Sequence, residues 1–353
     1  MQKLIKPLLQ DLSSMFTGYF ALVMSTGIIS IGAWLMNWKT IGHMMFKLNI
    51  ILYFLLFVLY VLRIILFPKD VIRDFKNDLK SAGFLTIVAA TGILGSQFVM
   101  INNQHSWANV LYVFSLVSWL ILNYSFFILM STEKTKPNLE DGLNGIWLLI
   151  VVAIQSISIL GVLIKDQSPF PKEIILFLSL LFFLIGCVLY LILITLIFYR
   201  LTFFNLTTQE LAPPYWINMG AVAITTLAGV TLIETHTDWP VIIQIRTFLL
   251  GLSLMFWSIG SWWIPIVIAL GIWKHLYKKA PILYDPQYWG LVFPLGMYAV
   301  CTLKLNILLK FPFLQHLSEL FLYTAFIAWS ITFFAMLKNS FKKFLKAKNQ
   351  FNH

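Results

Sequence analysis

The sequence predicts an all-α polytopic membrane protein of ten transmembrane helices paired as five helical hairpins. Three observations predict it. The 353 residues are 59% hydrophobic and 11% charged, with mean hydropathy +0.84, whereas soluble domains carry about 25% charged residues. The chain divides into ten apolar spans long enough to cross a bilayer as helices. Every second span shares a composition, so the chain reads as a repeat.

The spans run over 16–36, 44–67, 84–101, 107–131, 146–165, 174–200, 216–233, 241–273, 288–310 and 314–337. The first is too long for a signal-peptide core and lacks a cleavage site, so it should remain as a helix. The seventh is led in by Ala212, two prolines and two aromatics, and ends at Glu234, His236 and Asp238. It is crowded with small and polar residues, including Asn218, Gly220, Thr225, Thr226 and Gly229. Those suit close helix contact better than lipid. The eighth span exceeds a bilayer's needs and should tilt, bend at Pro265 or protrude.

The odd spans begin at 16, 84, 146, 216 and 288, steps of 68, 62, 70 and 72 residues. They hold ten glycines and the even spans four. Ser-Thr-Gly-Ile at 25–28 returns as Ala-Thr-Gly-Ile at 90–93. Even spans are greasy, as in LFLSLLFFLIGCVLYLILITLIF. The odd helices should therefore face inward and the even ones lipid. Five small-residue helices either leave a pathway at their axis or close into a packed bundle without a lumen.

An even span count puts both termini on one side. With that side inside, the inner segments hold 17 Lys and Arg and the outer segments 5, so both ends should be cytoplasmic. The expected division is a cytoplasmic segment 1–15, a transport domain 16–337 and a basic cytoplasmic tail 338–353. The tail reads as a solvated anchor, with lipid binding as the alternative. The net charge of +11 is then mostly an insertion signal, and no nucleic-acid partner is expected. Cys187 and Cys301 lie in apolar runs and read as buried thiols. The six histidines form no ligand-spaced cluster, and no Walker, H-E-x-x-H or paired G-x-S-x-G motif is present. No catalytic residue, metal or cofactor is expected.

The phrases GYFALVMSTGIISIG, PPYWINMGAVAITTLAG and FPLGMYAVCTLKL resemble the tellurite-resistance/C4-dicarboxylate transporter family. That family includes malate and sulfite permeases and the slow anion channel of plant guard cells. The resemblance covers about 16 to 337. It implies a quasi-five-fold central pore, usually in a homotrimer, that carries small anions and is closed by a phenylalanine of the ninth helix. Phe293, before Pro294, matches that gate through the Phe-Pro pair. The charged regulatory tails of the plant channels are absent, so phosphorylation control does not carry over.

The expected pore lining is Thr26, Gly27, Thr91, Gly92, Gln155, Asn218, Gly220, Thr225, Pro294 and Gly296. The amides and hydroxyls either replace part of an anion's hydration or bond neighbouring helices. Lys304, well inside the ninth span, either attracts anions or snorkels outward. Arg246 is expected to pair with Glu234 or Asp238. No chain of acids or histidines crosses the bilayer as a proton relay, which tilts the reading toward passive flow. The expected function is anion transport in the bacterial inner membrane. A proton-coupled dicarboxylate or sulfite-type permease and a tellurite-resistance exporter are the alternatives. A membrane-embedded enzyme would need a polar catalytic cluster, and a receptor a longer extramembrane segment; neither appears.

Overall fold

The computed structural model describes residues 9–134, 136, 138–208, 211, 213–235 and 239–349. Lys3, Lys6, Ala212, His236 and Asp238, on which the sequence reading drew, lie outside them. Ten long helices carry the fold: α1 (Ala21–Leu35), α2 (Lys39–Leu66), α3 (Thr86–Asn102), α4 (His105–Thr132), α5 (Leu149–Ile164), α6 (Lys172–Phe203), α7 (Ile217–Glu234), α8 (Pro240–Ile272), α9 (Trp289–Leu309) and α10 (Phe313–Asn349). Among the described residues, nine helices, counted with their adjoining turns, are long and apolar enough to span a membrane. The tenth, α1, has 15 residues because the chain enters it through turns at 17–20. The eighth helix continues through Pro265 and runs on into a π turn, Trp273–Tyr277.

Consecutive helices pack as the five hairpins α1–α2, α3–α4, α5–α6, α7–α8 and α9–α10. The first members also pack on one another in sequence order, and α9 packs on α1, so five helices close a ring. The apolar windows of α3, α5, α7 and α9 are 72–94% buried, and those of the outer helices 22–44%. This is the inward and outward division expected from the alternating composition. The outer helices present Ile51, Phe54, Val188, Ile192, Ile327 and Ile331 outward, a face that suits lipid tails.

The two ends of the ring differ. At one, the turn end, α1–α2, α3–α4 and α9–α10 are joined by connections of two or three residues. Each holds a left-handed residue, Asn37, Asn103 or Lys310. At the other, the collar end, 3-10 turns Ser81–Leu85, Gly145–Leu148, Pro213–Trp216 and Pro286–Tyr288 lead into the ring helices. These turns pack on each other. A Cβ on Gly145 would lie 2.1 Å from the Pro214 carbonyl oxygen, so only glycine permits that approach.

A second repeat appears in the outer helices. Asn49, Ser115, Ser179, Ser253 and Ser318 are all buried at corresponding levels. Four of these levels are tied to a ring helix by a hydrogen bond. Asn49 Nδ2 donates to Gln97 at 2.7 Å and Ser318 Oγ to the Ala299 carbonyl at 2.7 Å. The Ser179 and Ser253 carbonyls accept from Ser158 and Thr226. Ten or eleven residues further on, each outer helix buries an aromatic: Tyr60, Phe126, Tyr190, Trp263 or Trp329. The ring-helix glycines Gly27, Gly161 and Gly229 make room for the polar side chains. Gly186 is tightly packed although it lies on an outer helix. A Cβ there would lie 2.3 Å from Gln155 Nε2, whereas Gly251 and Gly271 have nothing within 4 Å.

At the collar end, Arg63 is 1% exposed near the close of α2. Its guanidinium meets the Asp74 carboxylate and donates to the Ser13 carbonyl at 2.9 Å. Lys80 reaches the other Asp74 oxygen at 2.9 Å. Burial alone would raise the Asp74 pKa, but hydrogen bonds from Lys80 and Arg63, with their charges, hold it below the usual carboxylate range. The Tyr60 hydroxyl also shares its one proton between the adjacent Phe16 and Thr17 carbonyls, so α2 clamps the segment that enters α1.

Candidate functional site

All five ring helices contribute to two cavities along their common axis. The cavity at the turn end has a volume of about 210 Å³. The cavity at the collar end has about 20 Å³, little more than one water needs. On α9 the wall runs Gly290 and Phe293 at the collar cavity, then Met297, Val300 and Lys304 at the larger one. On α1 it runs Ala21 and Met24, then Ile28, Ile31 and Leu35. Steps of three and four residues keep these side chains on one helix face. The cavities share no lining residue. Phe293, 1% exposed, stands at the last α9 level before the larger cavity begins.

The larger cavity is mostly apolar, with Ile28, Ile31, Ile224, Leu227, Met297 and Val300 in its wall. Three of its four serine and threonine hydroxyls have little to offer an anion. Ser96, Ser156 and Thr231 donate their protons to the carbonyls of Gly92, Ala153 and Leu227 on their own helices, and a hydroxyl has one proton to give. Charge gathers at the turn end. Lys304 Nζ lies 2.7 Å from Glu234 Oε2, linking α9 to α7 across the wall. Lys165, also in the wall, lies 2.6 Å from Asp166, which Lys172 approaches at 2.8 Å. Hydrogen bonds from Lys165 and Lys172 hold the Asp166 pKa below its ordinary range. A low-polarity passage with charged groups at one mouth can admit an ion without binding it tightly, as conduction requires.

Several residues expected on the axis lie elsewhere. Thr26 donates to the Leu22 carbonyl and accepts from Trp329 Nε1 of α10 at 2.9 Å. Thr91 meets Tyr53 of α2 at 2.8 Å. Gln155 donates to the Phe183 carbonyl of α6 at 3.1 Å. Thr225 bonds the Ala221 carbonyl of its own helix, off the face that carries Ile224 and Leu227. Gly27 backs onto Ile93 and Asn49, Gly220 onto Pro294, and Gly296 onto Ile28 and Ile29. Asn218 is fully buried, with neither amide atom partnered among the described residues. Gly92 borders the larger cavity, close against Ser156. Small residues thus occupy the seams between ring helices, and bulkier aliphatic side chains fill the axis. The signal that finds the lining is the step of three or four from Phe293, through Met297 and Val300 to Lys304. Arg246 was expected to pair with Glu234 or Asp238; the Glu234 carboxylate is engaged by Lys304, and Asp238 lies outside the described residues.

Residues 15–337 match the family described as voltage-dependent anion channel. Two uncharacterized transporters of Methanocaldococcus jannaschii are similar over nearly their full length. One is 25% identical across 90% of this chain and 92% of its own. The other is 26% identical across 89% and 90%. An uncharacterized membrane protein of Mycobacterium tuberculosis is 40% identical over 143 residues, which is 40% of this chain and 72% of that protein.

Proposed function

We propose that this chain, which belongs to the voltage-dependent anion channel family, passes small anions along the axis of its inner ring and is shut in this conformation by Phe293. It is an integral membrane protein of a family of channels and transporters, not of enzymes. The supporting observation is the pair of coaxial cavities, drawn from the same five helices and parted at the level of Phe293. An aromatic ring in a narrow apolar passage excludes water, and an anion then meets a stretch that does not replace its hydration. Pro294 supports a mobile backbone beside the ring, because proline removes one helix hydrogen bond.

The basic residues orient the chain: the collar end and both termini face the cytoplasm of a bacterial inner membrane, and the turn end faces outward. Lys304 and Lys165 then stand at the external mouth and favour anions over cations. The substrate class is small inorganic anions or C4-dicarboxylates. Glu234 is the only acid among the described residues that borders either cavity. This favours passive flow over a proton-coupled permease or a tellurite-resistance exporter. The apolar outer faces fit lipid or neighbouring copies in a homotrimer. The test is flux of chloride, nitrate, sulfite and malate in liposomes, with and without a pH gradient. Flux of at least one anion without the gradient supports the reading, and flux of none under either condition overturns it.

A further inference from the structure

The Glu234–Lys304 pair differs in construction from the ion pairs at Asp74 and Asp166. Asp74 is held by Arg63 and Lys80, and Asp166 by Lys165 and Lys172. Among the described residues Glu234 has Lys304 alone. Glu234 is also the last residue of α7, where the helix dipole presents its negative end and disfavours a carboxylate. The two side chains are 24% and 20% exposed, so both are reachable from the mouth. Beside them, Thr235 lines the same cavity, and its hydroxyl has no partner among the described residues. A lysine, a free hydroxyl donor and a weakly placed carboxylate therefore share one stretch of wall.

We propose that Glu234 is a tethered ligand that occupies an anion site on Lys304, and that an incoming small oxyanion or carboxylate displaces it. The arriving anion takes Lys304 Nζ and the Thr235 hydroxyl as its donors. Glu234 turns out to water, where its charge is better solvated than at the helix end. Lys304 stands on the same α9 face as Val300, Met297 and Phe293, so an anion bound there is already on the path toward the constriction. The exchange sets how much anion is needed outside before the mouth fills. This inference rests on the anion-passage reading above.

The test uses nitrate, a planar oxyanion, with the purified full-length protein. Thermal stabilisation is followed as sodium nitrate replaces sodium gluconate at constant ionic strength, so that transport is not the readout. Removing the competing carboxylate in Glu234→Gln or Glu234→Ala should lower the half-saturating nitrate concentration about two- to fivefold, the range expected for a partly exposed ion pair. Lys304→Gln should abolish saturable stabilisation. Unchanged half-saturation in whichever Glu234 variants fold, persistence of the effect in Lys304→Gln, or no saturable effect in any protein would each overturn the proposal. Liposome flux of chloride, nitrate, sulfite and malate separates the two readings. Flux with an unmoved half-saturation sinks only the tethered ligand, and a moved half-saturation without flux of any of the four anions sinks only the passage.

Discussion

Removing the Asp74 charge should unfasten the collar end. Arg63 and Asp74 have side chains 1% and 5% exposed, so the pair is truly buried. Breaking such a pair by removing one partner costs about 3–5 kcal/mol, because the remaining charge is left without compensation. Lys80 is 51% exposed and adds little by itself. Asp74→Asn should therefore lower the thermal unfolding midpoint in detergent by at least several degrees, given that about 1 kcal/mol moves Tm by a few degrees. Replacing both charges, as in Asp74→Asn with Arg63→Met, should recover much of the loss, since an apolar pair of similar shape avoids the desolvation cost. The wild type carries a pH signature of the same contact. Because the folded Asp74 pKa is depressed, its contribution is complete above the unfolded value of about 3.9 and is lost as pH falls through the folded pKa. Melting curves from pH 7 down to pH 3 should show the wild type losing stability relative to Asp74→Asn only in the acid range. An Asp74→Asn midpoint equal to that of the wild type at pH 7 would refute the reasoning.

Two further outcomes follow from packing and charge. Gly186→Ala should cost about 1–3 kcal/mol through overpacking against Gln155, while Gly251→Ala, with open space around it, should be neutral or slightly stabilising; equal midpoints for the two variants would contradict the packing described. With the collar end in the cytoplasm, a cysteine placed at Asn77 should resist an impermeant thiol reagent in intact cells and react after lysis; ready labelling of intact cells would reverse the proposed orientation.

The helix repeat was legible because hydropathy sets spans and glycine content separates ring from outer helices. Which face a small residue presents was not. A closed ring needs each helix to approach two neighbours closely, so Gly27, Gly220 and Gly296 are drawn to the seams. Bulk is then needed to fill the axis, which brings Ile28, Ile224 and Met297 inward. Thr26, Thr91 and Gln155 read as candidate lining because a polar group in an apolar span needs a partner. Their partners are Trp329, Tyr53 and the Phe183 carbonyl on outer helices, positions that only the assembled hairpins bring near. The same holds for Glu234 and Lys304, 70 residues apart in sequence. Phe293 emerged through family resemblance, and the spacing along α9 then carries the wall from it to Lys304.

The most direct test of the central claim is anion flux through Phe293→Ala at matched amounts of folded protein in liposomes. Taking the ring away should open the passage between the two cavities and raise chloride and nitrate flux well above the parent, without admitting cations. Phe293→Leu should stay mostly shut. Tyr298→Ala should not open it, because Tyr298 turns from the axis to bond Ser261 at 2.7 Å and pack on Trp257 and Phe321. A folded Phe293→Ala protein that conducts no more than the parent would contradict the account.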